Sequence, residues 1–112
     1  MDITKEQIGN IVLFKLDGSF TAATAVAFRN EVKPLITPDN PPSLVIDMSG
    51  VSFMDSSGIG TLTGCRNKTV KVGGKLALFG CQAPVYDSLK VMGLIDVIDV
   101  LEDRDAALSA VA

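Results

Sequence analysis

The segment Ser43-Leu44-Val45-Ile46-Asp47-Met48 constrains this chain more than any other. It is a short, nearly continuous apolar run that follows Pro41-Pro42. A strand of that kind has no polar face to give to water, so it needs cover on both sides, as parallel strands between helices have. Its neighbours can supply the cover. Residues 22–33 read as a helix, with Ala25, Phe28, Val32 and Leu35 on one stripe; Pro34 ends or kinks it near Lys33. Residues 57–72 read as a second helix, with Ile59, Leu62, Cys65, Thr69 and Val72 on one face, stopped by Gly73-Gly74.

The rest of the chain extends the alternation. Residues 2–8 and 11–17 form a strand pair around Gly9-Asn10, and the second strand is apolar on both faces. Lys75 to Phe79 is another buried strand. Pro84 sits where an N1 proline belongs, and Val85, Leu89 and Met92 face inward before Gly93. Residues 94–100 supply a short edge strand. Residues 102–111 give a last helix, with Arg104, Ala107, Leu108 and Val111 at helical spacing. The order β-β-α-β-α-β-α-β-α predicts an α/β fold: a mixed, mostly parallel sheet of four to five strands with about four helices. At 112 residues, residues 1–112 are expected to form one domain with a single core. In such sheets the working loops lie at the carboxyl ends of the strands. Here those are residues 17–23, 49–58 and 80–84.

Composition removes several function classes. The chain has no His, which excludes Ser-His-Asp triads, Cys-His pairs and HExxH zinc sites. Cys65 and Cys81 lack CxxC spacing and read as reduced, buried small hydrophobes; no metal site is expected. The net charge of −3 argues against nucleic acid as a partner. No apolar run approaches a membrane span, and Met1 to Glu6 do not resemble a secretory leader, so a cytoplasmic protein without a membrane partner is expected. Residues 93–112 carry Asp96, Asp99, Glu102, Asp103 and Asp105 against Arg104 alone, which reads either as a solvated face on the last helix or as a steering patch for a basic partner.

The segment with the most chemical content is Ser52-Phe53-Met54-Asp55-Ser56-Ser57-Gly58-Ile59-Gly60, which follows a strand and opens a helix. Two readings of it stand side by side. In the first, Ser56 and Ser57 cap the helix and Asp55 complements its dipole. In the second, an exposed serine at a helix N-terminus is a place to carry a phosphate, because free amides and the dipole favour an anion. Rival motifs fail. Gly58-Ile59-Gly60 lacks the third glycine of GxGxxG, since Thr63 stands there, and Gly80 occupies the expected acidic position. Gly73-Gly74-Lys75 has no P-loop frame, and Asp47 has no acidic partner for Mg²⁺. No enzyme chemistry and no cofactor are expected.

The run Val45-Ile46-Asp47-Met48-Ser49-Gly50-Val51-Ser52-Phe53-Met54-Asp55-Ser56-Ser57-Gly58-Ile59-Gly60 resembles the signature of STAS domains, most closely that of the stand-alone bacterial anti-sigma factor antagonists. The resemblance extends to Gly73-Gly74-Lys75-Leu76, Pro84-Val85 and Met92-Gly93-Leu94, and so covers nearly the whole chain. It implies a regulatory binding protein. The unphosphorylated form would bind an anti-sigma factor that is also a serine/threonine kinase, and so release the sigma factor. Phosphorylation of the first serine of the signature, here Ser56, would switch binding off, and a PP2C-type phosphatase would reset it. Thr21, Met54, Asp55, Ser56, Ser57, Gly58 and Ile59 are the partner-binding residues it implies, with the outer face of helix 57–72. One position departs from the family: Thr21 stands where an Asp is usual. An alternative class is a STAS-like accessory subunit of a transporter or larger signalling complex, without a phospho-switch.

Overall fold

The computed structural model describes residues 1–112. It contains β1 (Asp2–Ile8), β2 (Ile11–Phe20), α1 (Ala22–Val32), β3 (Ser43–Met54), α2 (Ser56–Lys71), β4 (Lys75–Phe79), α3 (Ala83–Val91), β5 (Asp99–Leu101) and α4 (Arg104–Val111). Short 3-10 turns follow α1 and α3, at Lys33–Leu35 and Leu94–Asp96. The five strands lie in sequence order β1-β2-β3-β4-β5. β1 is antiparallel to β2, and all other neighbours are parallel. This is the mixed, mostly parallel sheet with four helices that the alternation predicts.

The apolar run at 43–48 fills its expected place. Leu44, Ile46 and Met48 point to one face, into a cluster with Phe14, Leu16, Leu76 and Leu78 from neighbouring strands. Three helices close that face: Phe28 and Val32 come from α1, Leu62 and Cys65 from α2, and Val85 and Leu89 from α3. Phe28 anchors it, with ring centroids 6.2 Å from Phe14 and 5.4 Å from Phe20 in edge-on geometry. The opposite face is smaller. Leu13, Val45, Ala77 and Phe79 meet Ala107 and Val111 of α4.

Several boundaries differ from the sequence expectation, among them the start of α4, at Arg104 where residue 102 is expected. β2 and β3 do not stop at 17 and 48 but run on together to Phe20 and Met54, across register irregularities. The sequence hides this because Asp17-Gly18 and Ser49-Gly50 look like turn residues; both pairs are paired strand instead, Asp17 with Gly50 and Gly18 with Val51. α2 starts at Ser56, one residue early. The edge strand shrinks to Asp99–Leu101 because Leu94–Asp96 wind into a 3-10 turn. Met92 does not face inward: α3 ends at Val91, and Met92 is 60% exposed.

Candidate functional site

The extra length of β2 and β3 brings their carboxyl ends side by side, Phe20 opposite Met54. The chain then turns at once into α1 on one strand and α2 on the other. Thr21 is the N-cap of α1, and its amide donates to the Thr24 hydroxyl at 2.9 Å. The Thr24 hydroxyl donates in turn to the Ser19 carbonyl at 2.8 Å. Asp55 is the N-cap of α2. Its carboxylate accepts from the Gly58 amide at 2.9 Å, and its carbonyl accepts from the Ile59 amide at 3.0 Å. Its own amide donates to the Phe20 carbonyl at 3.2 Å, which stitches the two helix starts together.

This arrangement decides one half of the capping question. The cap is Asp55, so neither serine is needed for it. Ser56 and Ser57 occupy the first two helical positions, and both are exposed. Their amides stand among the donors that a helix start leaves without an intrahelical acceptor, and Asp55 takes only the Gly58 and Ile59 amides. Neither hydroxyl is engaged within the chain. The two serines differ in direction. Ser57 lines the groove between α1 and α2, and its carbonyl accepts from the Thr61 hydroxyl at 2.8 Å; Ser56 is no part of that groove.

Gly58 explains why the turn is so closely set. A Cβ there would lie 2.3 Å from the Phe20 carbonyl oxygen and 2.8 Å from Met54 Cγ. Only glycine lets the helix start sit against the end of β2.

The seven residues expected at the partner surface therefore divide. Thr21, Asp55, Ser56 and Ser57 reach solvent in part or in full. Met54, Gly58 and Ile59 are buried, Met54 and Ile59 as members of the main core. Met54 as a surface contact is thus corrected: the strand continues through it and its side chain points inward. The exposed apolar residue is its neighbour Phe53, 55% exposed, which the sequence reading passed over. Alternation would not have flagged it, because two exposed residues, Ser52 and Phe53, separate buried Val51 from buried Met54 where the register is irregular.

Behind the site, the Asp47 carboxylate accepts from both the amide and the hydroxyl of Ser49, at 2.9 and 2.7 Å. Gln82, at the start of α3, donates to the Ser49 carbonyl at 2.9 Å. These bonds brace the third loop, after β4, against β3. Both cysteines are free thiols, Cys65 buried and Cys81 half-buried, and burial pushes each up to about 11. No helix is long and apolar enough to cross a membrane.

The chain is thus an α/β module built on a five-stranded mixed sheet, with an exposed serine on the first turn of the helix after its longest strand. The chain belongs to the STAS domain family, whose model matches residues 2–107. Among curated relatives, the anti-sigma F factor antagonist of Paenibacillus polymyxa is 24% identical over 109 residues, covering 97% of this chain and 93% of the relative. The phosphorylated form of the Bacillus cell fate determinant SpoIIAA has the same fold, with a TM-score of 0.77 at 20% identity over 99% of this chain and all of that one. The fold also occurs inside a larger protein: 93% of this chain matches 18% of the murine anion transporter Slc26a9, with a TM-score of 0.78 at 24% identity.

Proposed function

We propose that this chain is an anti-sigma factor antagonist switched by phosphorylation of Ser56. Unphosphorylated, it binds an anti-sigma factor that is also a serine/threonine kinase, and the sigma factor is released. The kinase phosphorylates Ser56, binding is lost, and a PP2C-type phosphatase restores it. The protein acts as a binding module and catalyses nothing itself.

One observation carries this reading. Ser56 is an exposed serine with an uncommitted hydroxyl at the first position of α2, while Asp55 already holds the cap. A phosphate there adds about −1.5 to −2 charges beside the Asp55 carboxylate. The unpartnered helix amides and the positive end of the dipole offset that charge within the chain, so the fold has no reason to melt. A partner seated over the turn has no such compensation. A loss of roughly 3 kcal/mol weakens binding more than a hundredfold, and one desolvated, unpaired charge supplies a loss of that size. Thr21 beside the turn brings no carboxylate of its own, so the partner's contacts there differ from those that an Asp would make.

The test uses wild-type, Ser56→Ala and Ser56→Asp baits in native lysate, with mass spectrometry of what is retained and phosphopeptide mapping after incubation with ATP. The expected result is a small ATP-binding kinase on the wild type and Ser56→Ala, little on Ser56→Asp, and phosphate on Ser56 alone. Phosphate on Ser57, or equal capture by all three baits of a transporter or scaffold protein, would overturn the proposal.

A further inference from the structure

A second feature of the molecule adjoins the turn that carries Ser56 and shares Ser57 with the expected partner surface. α1 and α2 do not close against each other along their length. Between them runs an open groove of about 720 Å³, floored by buried Phe28, Val32 and Cys65. Its rim carries Arg29, Lys33, Lys68 and Lys71, and no Asp, Glu, Asn or Gln lines it anywhere. In a chain of net charge −3 this is a marked separation of charge. None of the four cations is paired; the one ion pair of the molecule joins Arg104 to Glu6, at 2.8 Å, elsewhere. Arg29 makes a hydrogen bond across the groove, donating to the Thr61 hydroxyl at 3.3 Å.

The α2 wall of the groove is bare. Gly60 and Gly64 lie one turn apart, and a Cβ on either would meet nothing within 4 Å. Glycine inside a helix costs stability, and here no close packing within the chain repays it. This separates them from Gly58, whose Cβ would collide with Phe20. Cations near helix C-termini complement the helix dipole. That accounts for the lysines one by one, but not for their convergence on one groove, where half-buried Ile36 and Val72 add to the apolar lining.

We infer that the α1–α2 groove is a binding site for a small amphiphilic anion: an elongated apolar body carrying a carboxylate or similar acidic head. Charge complementarity selects this occupant. The unpaired cations Arg29, Lys33, Lys68 and Lys71 face an acidic head, and the groove follows α2 for about 21 Å from Ser57 to Lys71, room for an extended apolar body. The volume lies within the usual range for small-molecule sites. The lining offers no carboxylate or amide side chain to read the edge of a base, which disfavours a nucleotide, whereas a row of unpaired cations over an apolar floor matches a head and tail.

The test is titration of the 112-residue chain with decanoate at concentrations where it is monomeric, read by calorimetry and by backbone amide shifts. Saturable binding is expected, with shifts confined to residues 28–36 and 57–72, and decan-1-ol should bind at least tenfold more weakly. The Lys68→Gln/Lys71→Gln double variant should lose at least tenfold in affinity. Gly64→Ala should melt higher by about 4 °C yet bind more weakly, and Gly64→Leu should stay folded and not bind. Three results overturn the inference: no saturable decanoate binding, decanoate binding unchanged in Gly64→Leu, or a nucleoside triphosphate taking the same residues in preference to decanoate. Vesicles of anionic phospholipid form the last arm. Partition onto them without saturable binding of monomeric decanoate would mark a membrane-surface patch instead and overturn the site.

Discussion

Replacing Gly58 by alanine puts one methyl group where the first turn of α2 meets the end of β2. That carbon would stand 2.3 Å from the Phe20 carbonyl oxygen and 2.8 Å from Phe20 Cδ1 and Met54 Cγ. Met54 can swing aside, but the carbonyl cannot. It belongs to a strand paired with β3, and it accepts the Asp55 amide. The helix start must therefore lift, which strains the bond from the Gly58 amide to Asp55 as well. Overpacking of this kind costs about 1–3 kcal/mol, and a weakened cap about 1 more. The better helix propensity of alanine returns at most about 1 kcal/mol. The net loss is about 1–3 kcal/mol, or roughly 5–15 °C in Tm for a domain of this size, out of a total stability on the order of 5–15 kcal/mol. With no Trp and one Tyr in the chain, far-ultraviolet circular dichroism through thermal and urea melts is the suitable assay. Gly60→Ala, two residues on and facing open space, is the internal control and should be stabilising. Gly58→Ala melting within about 2 °C of wild type would refute the wedge and the account of the site built on it.

The serines and their neighbour make a second contrast. Asp55→Ala should cost about 1 kcal/mol in urea melts through loss of the cap, while Ser56→Ala should stay within about 0.5 kcal/mol. In the core, Phe28→Ala removes the ring wedged between Phe14 and Phe20 and should cost about 3–5 kcal/mol; a smaller loss in urea melts would mean the site collapses on itself. Cys65 and Cys81, both held up near 11, should react slowly with a thiol reagent at pH 8, where only about one thiol in a thousand is ionised, and faster as the pH rises. Because the folded pKa lies above the ordinary 9.0, the unfolded chain releases these protons first. Their contribution to stability is therefore intact below about pH 9 and is lost as pH climbs toward 11. Thiols that react in the folded state as fast as in urea would refute the burial.

Much of the fold was legible because its signals are redundant. The Leu44–Met48 run, the Phe28–Val32 stripe and the Gly73-Gly74 stop each point to the same layered arrangement. The site was legible in part. Asp55, Ser56 and Gly58 stood out as a group, yet which of them caps the helix depended on one residue of register, and a helix boundary carries no sharper signal than that. Met54 was expected at the partner surface, where the strand was expected to have ended near Ser49-Gly50. Pairing with Asp17 and Gly18, a contact far off in sequence, is what carries β3 onward. The groove could not be read at all. Lys33, Lys68 and Gly64 are unremarkable singly, and they become a surface only when α1 is laid beside α2.

The two faces of the sheet are closed unequally, and this sets an order of opening. Twenty buried residues and three helices seal one side; six buried residues and the eight-residue α4 seal the other. α4 is pinned at its ends by exposed contacts, Arg104 to Glu6 and the Lys75 ammonium to the Ala112 carbonyl at 3.1 Å. Such contacts hold little against solvent. The cheapest excursion from the native state is then the undocking of α4, with amide protection falling there first. The turn carrying Ser56 stands on the other side of the sheet and would ride through that excursion intact.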